Sequence, residues 1–299
     1  MSNYTENYMT DDQNHAWSKI LKFVPDDSQV LDIGCSSGNL GELLAIKKGC
    51  VVDGVEPDKE DASLASKKMR RVWNSDIETA VKDIHNKYDV LIVADVLEHL
   101  MYPDKVLQAV RSLLKPTGRV VFSVPNMSHV SVRLALLAGD WKYTETGLLD
   151  KTHLHYWDID TIKDVFKRAD MNLVELDAVT YKYPEKLIRD RLYDIGLKAN
   201  KKGLNLLVSK EASAFQIIGF AEIYKSKHSK ITLPEPGLQR DISYMAQYLT
   251  EHIKNTEEYA KQLKDQLKQL EGQLKDIKNS RSYKLSKRVS SFKSKFIKH

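Results

Sequence analysis

The residues whose spacing suits chemistry begin with Gly34 and Gly38, in the run Val30-Leu31-Asp32-Ile33-Gly34-Cys35-Ser36-Ser37-Gly38. An apolar strand that enters a glycine-punctuated turn and then a helix lets backbone N–H groups come close to a ligand. Glu56 lies 22 residues after Gly34, at the end of a second apolar run, Val51-Val52-Asp53-Gly54-Val55. An acid at that distance, on the tip of the next strand, can accept hydrogen bonds from both hydroxyls of a ribose. The Gly34-x-x-x-Gly38 spacing is not the dinucleotide fingerprint, and no Gly-Lys-Ser/Thr follows to make a phosphate loop. Asp95, Glu98 and His99 gather after a third apolar run, and His129, Asp150, His153 and His155 follow further on. Imidazole is the side chain whose ordinary pKa suits proton transfer near neutrality. His153 and His129 are therefore the candidate bases. Asp150 would orient an imidazole or accept from a substrate hydroxyl, or it caps a turn with Thr152.

The elements that must position these groups alternate. Apolar strands are read at about 28–33, 50–55, 71–76, 88–94 and 119–126, with helices near 39–47, 58–68 and 103–114 between them. That alternation gives βαβ units and a parallel sheet, and ligands of such sheets lie beyond the carboxyl ends of the strands. A leading helix, capped by Asp12, runs to Val24, after a polar start that carries Tyr4 and Tyr8. A helix is expected over 129–139, a polar and aromatic insert over 140–156, a helix over 158–169, and a strand over 172–179. Residues 181–210 form a basic, partly helical excursion before a last strand at 215–221.

The glycine turn resembles motif I of class I S-adenosylmethionine (SAM) methyltransferases, whose usual form is (V/L)LD(I/V)GCGxG; Ser36 or Ser37 stands where a third glycine often sits. The stretch Leu114-Lys115-Pro116-Thr117-Gly118 through Asn126 resembles the end of helix D and strand five of that superfamily. The resemblance implies a Rossmann-like, seven-stranded, mostly parallel sheet flanked by helices, with SAM as cofactor. It assigns cofactor contacts to Asp32, Gly34, Cys35 and Gly38, to Glu56 and Pro57, and to Asp95 and Val96. Asp76 matches an acid that holds the adenine amino group, yet Asp is equally a helix N-cap. Asp95, Glu98 and His99 resemble a cation-binding set in ubiquinone-biosynthesis O-methyltransferases; the reading adopted is a strand end without metal. The run Gly147-Leu148-Leu149-Asp150-Lys151-Thr152-His153-Leu154 resembles methyltransferases found with glycosyltransferases in bacterial surface-polysaccharide systems. That subgroup often has Arg at the position of His155, which argues against His155 as a shared base.

The resemblance implies methyl transfer to a hydroxyl of a sugar or glycan precursor. Methylation of a quinone-like or other small molecule is the alternative, and a non-catalytic scaffold for glycan enzymes is a third reading. The division expected is a methyltransferase domain over 1–232, a linker and coiled coil over 233–280 and a basic tail over 281–299. Ile242, Ala246, Leu249, Ile253, Thr256, Ala260, Leu263, Leu267, Leu270, Leu274 and Ile277 step by alternate fours and threes. Such a sustained heptad predicts a long helix that self-associates as a coiled coil. The coil and its Ser280-Arg281-Ser282-Tyr283-Lys284-Leu285 stretch resemble tails of bacterial glycan enzymes, which implies a glycosyltransferase partner.

Charge is unevenly spread. The net +5 over 299 residues includes eight bases and no acid between Ile277 and His299, so the remainder carries −3. The body therefore has no general attraction for nucleic acid, and the tail is either a solvated end or an amphipathic segment on an anionic membrane. Two cysteines without CxxC spacing exclude a disulfide scaffold or zinc finger and fit a cytoplasmic protein. The polar first ten residues do not read as a signal peptide, and no apolar run is long enough to cross a bilayer.

Overall fold

Alternation along the strands sorts the core before any helix is placed. In a strand, successive side chains point to opposite faces. In the computed structural model, which describes residues 12–223, 231–233, 261, 264 and 268, Leu31, Ile33, Leu91, Val93 and Phe122 pack on one face of a sheet. Val30, Val52, Val90, Ile92 and Val121 pack on the other. Both sets are buried, so helices must cover both faces.

The strands are β1 (Gln29–Ile33), β2 (Val51–Val55), β3 (Arg71–Trp73), β4 (Tyr88–Ala94), β5 (Leu114–Pro125), β6 (Asn172–Thr180) and β7 (Ala214–Glu222). They form one seven-stranded sheet in the order β3-β2-β1-β4-β5-β7-β6. All pairings are parallel except those that β7 makes with β5 and β6. The expected Rossmann-like, mostly parallel sheet is therefore observed. β1 and β4 are adjacent although distant in sequence, so the order reverses there, and a crevice opens beyond their carboxyl ends.

Helices α1 (Ala16–Phe23) and α2 (Asn39–Lys48) cover the Val30 face through Ile20, Phe23, Leu40 and Leu44. Helices α3 (Lys59–Ala65) and α4 (Ile77–Ala80) follow β2 and β3. Helix α5 (Pro103–Val110) and α7 (Ile159–Arg168) cover the Leu31 face through Val106, Leu107, Ile162, Val165 and Phe166. Asp158 caps α7: its carboxylate accepts from the Thr161 N–H at 2.8 Å, while the Thr161 hydroxyl accepts from the Asp158 N–H, a reciprocal capping box. The excursion holds α8 (Glu185–Asp194), α9 (Lys201–Leu207) and α10 (Lys210–Ser213). With α6 (Val130–Leu137) these helices bury a small cluster of their own, Val130, Leu134, Ile188, Leu192, Leu204 and Ala212.

Several boundaries differ from the sequence reading for local reasons. Asp12 does not cap α1; it accepts from the Asn14 N–H, and His15 is the cap, its ring accepting from the Trp17 N–H. β5 starts at Leu114 rather than 119, because Leu114 pairs with Tyr88 before a register shift. Pro116, which has no N–H to donate, sits between that pairing and the Val90–Arg119 pair. The chain divides into units Met1–Leu238 and Gln239–His299. Leu233, where the linker was expected to start, is 2 % exposed and packs with the core of the first. In the second unit Lys261, Lys264 and Lys268 are helical and exposed. The coiled-coil seam, the basic tail, Tyr4 and Tyr8 lie outside the described residues. No helix among the described residues is long and apolar enough to cross a membrane.

Candidate active site

The turn after β1 alternates in handedness. Gly34, Ser36 and Gly38 have φ of +73°, +46° and +79°. At Gly34 a side chain would also collide with Val96, whose Cγ2 lies 2.6 Å from where a Cβ would stand. The turn after β1 and the end of β4 thus meet at contact distance only because residue 34 lacks a side chain. Gly54 plays the same part under Cys35, whose Sγ would lie 2.6 Å from an added Cβ. Burial raises the Cys35 thiol, aided by Asp32 and Glu56, so it packs as a neutral group. Ser36 carries its left-handed backbone without glycine's freedom, and its hydroxyl donates to Asp61 of α3 at 3.0 Å.

Glu56 faces this turn. One carboxylate oxygen accepts from the Ser36 N–H and the other from the Asp58 N–H, both at 2.8 Å. Each oxygen retains a lone pair for a ligand. Pro57 is exposed, and Asn74 donates to the carbonyls of Glu56 and Pro57, which fixes the end of β2. The turn's amides are more committed than the sequence suggests. Gly34 and Cys35 donate to the Val55 carbonyl and Gly38 to that of Cys35. The amides of 34, 35, 36 and 38 hold the protein together, so a ligand is left chiefly the acids.

Those acids lack a counter-charge. Asp32, 2 % exposed, and Glu56, 7 % exposed, form no ion pair among the described residues. Burial, reinforced by the Glu56 charge, raises Asp32 to about 7. A ligand with positive charge and vicinal hydroxyls would relieve both costs. SAM has a sulfonium, an ammonium and a ribose, so these residues fit it.

Asp76 proves to be a helix cap, exposed, accepting from the Thr79 N–H at 2.7 Å; the Thr79 bonds hold its carboxyl below the usual range. Asp95 has φ +55° at the exit from β4, and its carboxylate accepts from Ser123 Oγ at 3.0 Å and from Gln216 Nε2 at 2.6 and 2.8 Å. Gln216, on β7, was not legible from sequence, because only the sheet order brings the last strand beside β5.

A second group sits past β4. Glu98, His99 and His153 offer ligand atoms that all lie within 4.8 Å of one another. The backbone explains the meeting: the N–H groups of Leu154 and His155 both donate to the Glu98 carbonyl, at 2.7 and 3.2 Å. That anchor swings the insert back over β4. The His99 and His153 rings meet edge to face, centroids 5.0 Å apart. Glu98 Oε2 and His153 Nδ1 are buried without a partner among the described residues. Burial drives the Glu98 carboxyl well up, helped by Asp95. Burial and then His99 push His153 down. One carboxylate oxygen and two imidazole nitrogens could also ligate a divalent cation, which would polarise an acceptor hydroxyl. Asp95 is not in that group. His155 stacks on Trp157 at 5.2 Å instead. Asp150 accepts from the Thr152 N–H and hydroxyl at 2.8 and 2.6 Å, so it caps the turn that presents His153. Burial pulls its carboxyl up, but these bonds hold it below the usual value.

His129 belongs to the fold rather than the cleft. It caps α6: Nδ1 accepts from the Ser131 N–H and lies 2.7 Å from Ser131 Oγ, and Nε2 donates to the Tyr181 carbonyl at 3.1 Å. Neither nitrogen is left to take a substrate proton. Burial lowers its pKa to about 4, against the pull of the Tyr181 carbonyl. The unfolded chain therefore binds this proton between pH 6.5 and about 4 while the folded chain does not. Stability from this residue is full above pH 6.5 and is lost as pH falls towards 4, by on the order of 3 kcal/mol. Urea unfolding of His129→Gln beside the parent at pH 7 and pH 4.5 checks this: the variant should lack that part of the acid loss. Parallel losses in both proteins would refute it.

Known proteins similar to this chain are methyltransferases. A family described as a methyltransferase domain matches residues 8–176. A ubiquinone biosynthesis O-methyltransferase of Colwellia psychrerythraea is 35 % identical over 120 residues, covering 38 % of this chain and 48 % of the relative. Its counterpart in Vibrio campbellii is 33 % identical over 119 residues, covering 38 % and 50 %. The chain thus spans about half the length of the curated relatives it matches. Among solved structures, a SAM-dependent methyltransferase from Archaeoglobus fulgidus superposes with a TM-score of 0.47 at 17 % identity, covering 69 % of this chain and 91 % of that one.

Proposed function

This chain belongs to the methyltransferase domain family, and from that premise we propose that it transfers a methyl group from SAM to a hydroxyl of a small molecule. One observation carries the reading: among the described residues, buried Asp32 and Glu56 stand without a counter-charge beside a left-handed glycine turn. Bound SAM would supply a methyl already activated on a sulfonium. Glu56 would hold the ribose and Asp32 would meet the positive charge, while Gly34 keeps Val96 close against the turn. His153, neutral near pH 7 because burial lowers it, takes the proton from the acceptor hydroxyl. Asp150 sets the turn that aims it.

The acceptor class rests on two different supports. The relatives' name, ubiquinone biosynthesis O-methyltransferase, supports a phenol- or quinol-like hydroxyl. A sugar hydroxyl is the second reading, favoured by the Gly147–Leu154 run and by Trp141 and Tyr143, 40 % and 58 % exposed on the same insert and suited to stacking on a sugar ring. Incubation with methyl-labelled SAM and a panel of catechols, quinols and nucleotide sugars separates them by which product gains the label. Self-association through 242–277, a glycosyltransferase partner, contact of the basic tail with anionic membrane and a cytoplasmic setting complete the proposal. They rest on heptad spacing, motif likeness, tail charge and reduced cysteines.

The cofactor half is tested by calorimetry. Glu56→Ala should weaken SAM by about 30–150-fold, as expected for a charge-assisted hydrogen bond of about 2–3 kcal/mol. No heat from the parent protein with either SAM or S-adenosylhomocysteine would defeat the reading.

A further inference from the structure

The excursion between β6 and β7 has no part in the site described above. Residues 181–210 carry eight bases and three acids. Their helices, with α6, enclose a groove of about 580 Å³ lined by Leu136, Leu137, Leu192, Leu197, Leu206 and Leu207. Four of these are open to solvent: Leu197 is 43 %, Leu137 51 %, Leu136 53 % and Leu206 59 % exposed. Single exposed leucines need no explanation, but a contiguous set of four marks a contact surface.

The charges around the groove say what covers it. Lys186 and Arg189 of α8 are neutralised by Asp190 and Glu185. Lys198 at the groove, and Lys201 and Lys202 at the start of α9, are exposed and form no ion pair among the described residues. Tyr193, 72 % exposed, stands on the same excursion. A second copy docked symmetrically would set these lysines against themselves. An anionic surface would neutralise them while its acyl boundary took the leucines. We propose that the α6–α8–α9 face docks on an anionic phospholipid bilayer, with Leu136, Leu137, Leu197 and Leu206 entering the headgroup–acyl boundary and Lys198, Lys201 and Lys202 on lipid phosphates. This docking is separate from the C-terminal tail and does not depend on the methyl-transfer reading.

The full chain is tested by sedimentation with phosphatidylcholine vesicles, with and without about one-third phosphatidylglycerol. Cys35 and Cys50 are buried, so Leu206→Cys can carry an environment-sensitive fluorophore at one place. The parent should bind the anionic vesicles, and the probe should shift to the blue with them and not with pure phosphatidylcholine. Neutralising Lys198, Lys201 and Lys202 together as Gln should weaken binding by about 100-fold, at roughly a factor of five per charge. Leu136→Gln with Leu206→Gln should weaken it by about tenfold or more. The C-terminal bases remain in every variant, so binding by the tail alone would leave all affinities unchanged and the probe in water, which overturns the proposal. Absence of binding, equal binding to both vesicles, or a blue shift that grows with protein concentration without lipid would overturn it too. Unchanged urea unfolding midpoints in the Gln variants show that they are folded.

Discussion

Replacing His153 by alanine is expected to slow turnover by about 10²–10⁴-fold, the range for loss of a positioned general base. SAM affinity should stay within about twofold, since the substitution touches only the acceptor side. His153 Nδ1 is buried without a partner among the described residues, and burial, with His99 beside it, keeps the ring neutral at pH 7. A neutral imidazole with an unclaimed nitrogen is ready to receive a proton. His129, by contrast, has both nitrogens engaged. The measurement is kcat and KM from methyl-labelled product, with calorimetry for the cofactor. An unchanged kcat would remove His153 from the chemistry. A raised KM at constant kcat would make it a binding residue instead.

Asp53→Ala is expected to lower stability by about 2–3 kcal/mol, because it strands the buried Tyr88 hydroxyl, whereas the Arg70 guanidinium, 43 % exposed, can turn to water. Asp53 is fully buried on β2. Its oxygens accept from Arg70 Nε and Nη2 at 2.8 and 2.6 Å, and from the buried Tyr88 hydroxyl at 2.8 Å. The three residues tie β2, the approach to β3 and the start of β4 into one network. Without the carboxylate, the Arg70 guanidinium loses its counter-ion and the Tyr88 hydroxyl its acceptor. Asp53→Asn, which keeps one acceptor and the shape, should cost less. Urea unfolding at pH 7 decides it. Equal midpoints for the parent and both variants would mean that water replaces the network.

That network was hidden in the sequence, where Asp53 reads as one polar residue in an apolar strand. What made β1, β2 and β4 legible was run length: a strand covered on both faces must be apolar throughout, and Val90 to Val93 show that pattern. The glycine turn and Glu56 were legible because spacing along the chain fixes spacing across adjacent strands. Residues joined by the sheet order alone were not. Gln216 reaches Asp95 from 121 positions away, and nothing local marks it. The histidines show a different limit. His129 and His153 are equally plausible as letters, and only burial and partners separate the cap from the candidate base. Asp76 and Asp150 were ambiguous for the same reason, since a carboxylate that caps a turn and one that grips a ligand have identical sequence signatures.

The clasp of Glu56 by two backbone amides has a consequence for association. Its rotamer is chosen before any adenosine arrives, so the side chain surrenders no torsional freedom on complex formation. The Ser36 amide ties the carboxylate to the glycine turn, and the Asp58 amide holds it from its own segment. Under the proposed function, selectivity for the ribose edge would be written into the fold before binding, and ligand encounter would be a matter of filling a preset shape.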